Sequence, residues 1–119
     1  MAWEVEYTNE FGDWFAGLDE SSREDVIAAV ELLETEGPTL GRPLVDTLTG
    51  SRYAKMKELR PQSSNLRILF MFDPRRTAIL LIGGDKSGRW QAWYREMIPV
   101  AERLYEEYLQ ELEREGFLP

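Results

Sequence analysis

Leu66-Arg67-Ile68-Leu69-Phe70-Met71-Phe72-Asp73-Pro74-Arg75-Arg76-Thr77-Ala78-Ile79-Leu80-Leu81-Ile82 is the stretch that decides the fold. Two short apolar runs flank Asp73-Pro74-Arg75-Arg76, a turn signal in which Pro presets φ and Asp can bond its own backbone. Runs this short that are apolar on both faces read as strands at the centre of a sheet. A connection of this length joins antiparallel neighbours. Upstream, residues 53–60 read as another strand and Pro61–Asn65 as a turn. The three strands form an antiparallel meander, which Gly83-Gly84 is expected to end.

Working outward, Trp3-Glu4-Val5-Glu6-Tyr7 alternates apolar and acidic residues, the period of a half-buried strand. Thr8 or Asn9 can cap a short helix with Phe11, Trp14, Phe15 and Leu18 on one face. Ser21 or Ser22 precedes a second helix carrying Val26, Ile27, Val30 and Leu33, which Gly37-Pro38 stops. Residues 37–52 hold three Gly and two Pro and read as a loop. Trp90–Tyr94 reads as a short helix or turn. A final helix repeats Val100, Leu104, Tyr108 and Leu112, with Pro99 in its first turn. The predicted class is α+β in one domain, 1–119. A small antiparallel sheet, made of the N-terminal strand and the meander, packs against two N-terminal helices and a C-terminal helix.

The net charge of −8 conceals a strong asymmetry. Residues 1–36 carry eleven acids against Arg23, and residues 96–119 carry seven Glu against Arg103 and Arg114. Residues 37–95 carry eleven Lys/Arg against four acids. A basic centre of this density is an electrostatic footprint for phosphate. With no Cys and no His, disulfides, thiolate or imidazole catalysis and the usual zinc and copper sites are excluded. No apolar run is long enough to span a bilayer, and the start Met-Ala-Trp-Glu lacks a signal-peptide pattern. A cytoplasmic location is the expectation.

Within the basic centre, Arg67 interrupts an apolar strand. Such an Arg either pairs with a carboxylate, Glu58 across the turn being available, or aims its planar fork at a phosphate. Lys55 and Lys57 either protect an exposed sheet edge or belong to the phosphate footprint of the basic centre. Glu58 and Arg60 share one face and can form a surface ion pair. Gly83-Gly84-Asp85-Lys86-Ser87-Gly88 lacks P-loop spacing and reads as a connection or a weak phosphate cradle. Trp90, Trp93 and Tyr94 follow, either as core or as stacking platforms for single-stranded nucleic acid.

Glu58-Leu59-Arg60, Leu66-Arg67-Ile68-Leu69-Phe70, Gly84-Asp85-Lys86, Trp93-Tyr94-Arg95 and Ile98-Pro99-Val100-Ala101 together resemble the HigB-like, phage-derived branch of the RelE/ParE toxin superfamily. The resemblance implies a RelE-like sheet with helices on one side. It also implies a type II toxin that cleaves mRNA on the ribosome without metal or other cofactor. Its partner would be a helix-turn-helix antitoxin, whose complex sets the oligomeric state. A ParE-like inhibitor of a topoisomerase and a non-catalytic binding relative are the alternatives. Metal-free RNA cleavage uses the 2′-OH as nucleophile and needs a proton acceptor, positive charge and a proton donor. Arg67 matches the family's central-strand arginine. Glu58 or Lys57 would accept the proton, with Arg60 beside them, and Lys86 or Tyr94 would donate one. Arg52, Lys55, Lys57, Arg75, Arg76 and Arg89 would carry the RNA chain, with Trp90 or Trp93 stacking a base. Met56 and Glu58 stand where RelE-type enzymes often have lysines.

Overall fold

The computed structural model describes residues 3–88 and 90–117. Its centre is the pair of strands β4 (Leu66–Phe72) and β5 (Ala78–Asp85), antiparallel as their short turn requires. A bulge between Leu69 and Phe70 lets both strands keep their apolar side chains packed. β5 does not stop at its glycine pair. A Cβ on Gly83 would lie 2.3 Å from the Trp14 ring, and one on Gly84 would lie 2.4 Å from Trp93 Nε1. The two glycines admit an indole on each face of a continuing strand.

Two further strands complete that side. β3 is only Lys57–Leu59, because residues 53–56 form a turn closed by Met56 N donating to Tyr53 O at 3.0 Å. β2 (Val45–Thr47) lies inside the expected loop and pairs with β3. β2 is therefore the sheet edge, and Lys57 sits on an interior strand. The edge-protection reading of Lys57 is corrected accordingly. At the opposite edge, β1 (Val5–Tyr7) runs parallel to β5, so the five-stranded sheet is mixed, in the order β1-β5-β4-β3-β2. Alternation identifies a strand but not its neighbour. The two helices after β1 carry the chain across the sheet before the meander begins.

Helix α1 (Asn9–Ala16) is capped by Thr8, whose hydroxyl accepts from Phe11 N at 3.0 Å. Helix α2 (Glu20–Glu36) starts earlier than expected, because Asp19 accepts from Ser22 N at 2.8 Å. Aspartate there also complements the positive end of the helix dipole. Gly37, at φ +60°, ends α2 and leads into a 3₁₀ turn, Gly37–Thr39. Helix α3 (Trp90–Arg114) is continuous, with Pro99 inside it rather than in its first turn. Burial of Trp93, Ile98, Ala101 and Leu104 outweighs a proline cost of about 3 kcal/mol.

The helices divide between the faces of the sheet, which corrects the one-sided packing. Phe11, Val26, Ala29 and Leu33 of α1 and α2 pack on Leu59, Ile68, Phe70 and Leu80. Trp93, Ile98, Ala101 and Leu104 of α3 pack on Leu69, Met71, Ile79 and Leu81. Among the described residues, no helix is long and apolar enough to cross a membrane.

Candidate active site

Strand register settles which side chains meet. Glu58 opposes Leu69, and Arg67 lies two residues before Leu69 on β4, so both face α3. Lys57 opposes Phe70 and Leu59 opposes Ile68, on the α1/α2 face. Lys57 is thereby removed as an alternative proton acceptor at this site. Lys86 continues the alternation past Gly84 and returns to the α3 face, its backbone N–H donating to Asn65 O at 3.2 Å.

Glu58 is the hub. It is 2% exposed and accepts from Arg60 Nε at 2.6 Å. Arg67 Nε lies 3.7 Å from the same oxygen, outside hydrogen-bond reach, and finds no other partner among the described residues. The Arg67 guanidinium is anchored instead by Nη1 donating to Leu66 O at 2.7 Å. Arg67 thus lies within ion-contact distance of Glu58 without bonding to it, and its side chain is only 13% exposed. Tyr94, from the first turns of α3, lines the same cleft as Glu58. Burial, then the neighbouring Glu58 carboxylate, pushes its phenol up to about 12. Lys86 is buried, and burial together with the Arg67 and Arg60 charges lowers its amine below the ordinary value, with Glu58 opposing. All five residues expected to carry catalysis are brought together.

Beside the hub opens a cleft of about 390 Å³ lined by Arg42, Asp46, Glu58, Arg60, Gln91 and Tyr94, among others. Asp46 accepts from Arg60 Nη2 at 3.3 Å and lies 3.3 Å from Arg42 Nε. The hydrogen bond from Arg42 holds its carboxyl below the usual range. Asp46 and Arg42 escaped the sequence reading. Their only signal is the Val45-Asp46-Thr47 alternation, three residues inside a Gly/Pro-rich stretch.

The family described as "Phage derived protein Gp49-like (DUF891)" matches residues 13–106. The chain belongs to this family. It is 52% identical over 96 residues to HigB3 of Mycobacterium tuberculosis (strain ATCC 25618 / H37Rv), which carries a toxin's name, covering 81% of this chain and 84% of HigB3. It is 54% identical over 103 residues to HigB2 of the same organism, likewise named for a toxin, covering 84% of this chain. The chain spans about half of HigB2, 51% of its length. The crystal structure of the archaeal RelE–RelB complex from Pyrococcus horikoshii OT3 contains a chain with the same fold, at TM-score 0.59 and 14% identity. That likeness covers 74% of this chain and 99% of the other. The Gp49-like chain is thus HigB-like in sequence, similar to relatives named as toxins, and it shares the fold of RelE.

The residues expected to carry RNA are dispersed over this HigB-like fold. Arg52 is engaged by α3: its guanidinium pairs with Glu106 and its backbone N–H donates to Glu102 at 2.8 Å. Lys55 is exposed on the turn before β3. Arg75 and Arg76 sit at the far end of β4, roughly 17 Å of strand from Arg67. There Arg75 donates to Asp73 and Tyr108, and Arg76 lies 4.6 Å from the Trp3 ring centroid. Arg89 lies outside the described residues, as does the side chain of Trp90. Trp93 is buried against Gly84, so it is core rather than a stacking platform.

Proposed function

We propose that this HigB-like chain is a type II toxin that cleaves mRNA endonucleolytically at the ribosome, in the cytoplasm, with the RNA's own 2′-OH as nucleophile. One observation carries the reading: Arg60, Arg67 and Lys86 converge on the single carboxylate of Glu58 beside an open polar cleft. A surplus of positive charge in a partly dry site favours a phosphate whose charge grows toward the transition state. An incoming phosphate competes with Glu58 for Arg60, whose side chain is the most exposed of the three at the hub that ion pairs define, 34% against 13% for Arg67 and 3% for Glu58. Transfer of Arg60 to the phosphate leaves Glu58 an open lone pair to accept the 2′-OH proton. Arg67 supports the pentacoordinate phosphate from behind. Lys86, an amine with a lowered proton affinity, returns a proton to the leaving 5′-oxygen. Tyr94 holds Glu58 in place.

The solved relative is a complex with RelB, which supports an antitoxin as the physiological partner. A helix-turn-helix antitoxin is the form proposed here. The test is induced expression of wild type and Arg67→Ala, with primer extension on translated messages. New RNA ends and growth arrest with wild type alone support the reading. Equal arrest by both proteins without new ends removes it, and inhibited gyrase supercoiling in that case would install the topoisomerase alternative.

A further inference from the structure

The α1/α2 layer reaches beyond the sheet it covers. β1 is the edge strand, and past it lies a groove of about 300 Å³ lined by Val5, Tyr7, Phe11, Phe15, Ile27 and Val30, among others. Tyr7 is 64% exposed and Ile27 46%, large apolar side chains that flank the same opening.

The edge itself is in register to accept a strand. Ala78 N donates to Glu4 O, and Thr8 N donates to Leu80 O, so the even-numbered residues of this segment address β5. In a parallel ladder the alternate residues point the other way. Trp3 N–H does so and is taken by Glu34 O of α2 at 2.7 Å. The outward N–H and C=O groups of Val5 and Tyr7 meet no partner among the described residues. Two open backbone positions therefore border an apolar groove that the sheet does not fill.

Charge selects the occupant. Glu31 and Glu34 line the groove, and the cations that reach β1, Arg75 and Arg76, are engaged by Asp73 and Glu6 and by the Trp3 ring. Arg23 is turned inward, donating to Leu18 O at 2.9 Å. A second copy of this chain would bring acid against acid across the new pair, which is destabilising. We propose that the β1 edge is a docking slot for an extended, basic segment of a partner polypeptide. The segment adds as a sixth strand, with alternate apolar side chains in the groove and Lys or Arg toward the glutamates. The slot lies outside the Glu58 cleft, and the reading does not depend on RNA cleavage.

The probe is a synthetic peptide of roughly seven residues alternating Val and Lys, long enough to cover the strand, with a Val/Glu peptide of equal length as control. Binding is read by titration calorimetry, and amide hydrogen exchange is read by NMR on the full chain. The Val/Lys peptide is expected to bind in a salt-sensitive way and to slow exchange at Val5 and Tyr7. Tyr7→Pro removes an outward N–H without touching the β5 ladder and should weaken binding at least about tenfold, while Tyr7→Ala retains it. Ile27→Asp, on the exposed face of α2, gives a second loss should the proline variant misfold. Equal binding of the Val/Glu peptide, no protection at Val5 and Tyr7, or unchanged affinity in Tyr7→Pro and Ile27→Asp would overturn the proposal. So would sedimentation showing that the edge is occupied by a second copy.

Discussion

Two clusters at opposite ends of α3 share one local recipe and differ in outcome. Each has a buried carboxylate, an arginine two residues later and a tyrosine from α3: Glu58, Arg60 and Tyr94 at one end, Asp73, Arg75 and Tyr108 at the other. At the far end the bonds close on themselves. Asp73 accepts from Arg75 N at 2.8 Å, Thr77 N at 3.0 Å and Arg75 Nε at 3.0 Å. Arg75 Nη2 also donates to Tyr108 at 2.7 Å, and Tyr108 donates to Glu6 at 2.6 Å. Two carboxylates enclose one guanidinium, and the cluster pins the β4–β5 turn to β1 and α3. At the near end Glu58 and Asp46 face Arg42, Arg60, Arg67 and Lys86. Positive charge is in excess there, and a cleft gives access. The same spacing makes a staple where the neighbours balance it and, in the function proposed above, an anion site where they do not.

Removing the arginine of each pair should separate the roles most sharply. Arg60→Ala is expected to lower RNA cleavage by about 10²–10³-fold, the scale of losing one charge-stabilising donor. Arg75→Ala should leave cleavage near wild type, and matched single-turnover assays on a translated message would reveal the difference. Asp73→Ala should cost about 2 kcal/mol in urea denaturation, since it leaves the buried Thr77 N–H and the half-buried Arg75 N–H without their acceptor. A loss below about 1 kcal/mol would show that the far cluster is no staple.

Gly84→Ala tests whether the position of α3 matters to the hub. Its Cβ would displace Trp93 and with it the neighbouring Tyr94. Cleavage should fall roughly tenfold while the α1/α2 core remains intact by amide exchange.

The pH responses are smaller and differ in sign between groups. Lys86 binds its proton less tightly folded than unfolded, so it adds stability as pH rises toward its ordinary 10.5. As the proposed proton donor it should also set an alkaline fall in cleavage that begins below that pH, and Lys86→Arg should remove the fall from the pH–rate profile. The phenols behave oppositely. Burial first, then the neighbouring Glu58 and Glu6 carboxylates, raise Tyr94 and Tyr108 above the ordinary 10.0. Their contribution to stability is intact below pH 10.0 and is lost as pH climbs, through about 12 for Tyr94. Thermal melts of Tyr94→Phe and Tyr108→Phe should both show a flatter alkaline decline than wild type.

Much of the fold was readable because local forces decide it. β4, β5 and their turn follow from apolar runs around Asp73-Pro74, and α1 and α2 follow from caps and apolar spacing. β2 was hidden because an alternation of only three residues among Gly and Pro is too short to mark a strand. The glycines of β5 looked like a stop because the indoles that press on them come from two distant helices. Arg52, Arg75 and Arg76 looked like part of one basic surface, because counting charges along a chain ignores which acids and rings lie opposite in space.

Chain composition alone ruled out thiolate and imidazole chemistry and marked a basic middle between acidic ends, since these depend only on which residues are present. The resemblance to the RelE/ParE superfamily, joined to the chemistry of metal-free RNA cleavage, named Glu58, Arg60, Arg67, Lys86 and Tyr94 as candidates. Their convergence on the α3 face, the exclusion of Lys57 from it and the recruitment of Asp46 and Arg42 came from strand register and from α3 lying opposite α1 and α2. A one-residue slip in a strand turns every side chain to the other face, and register is set by the packing of the whole sheet.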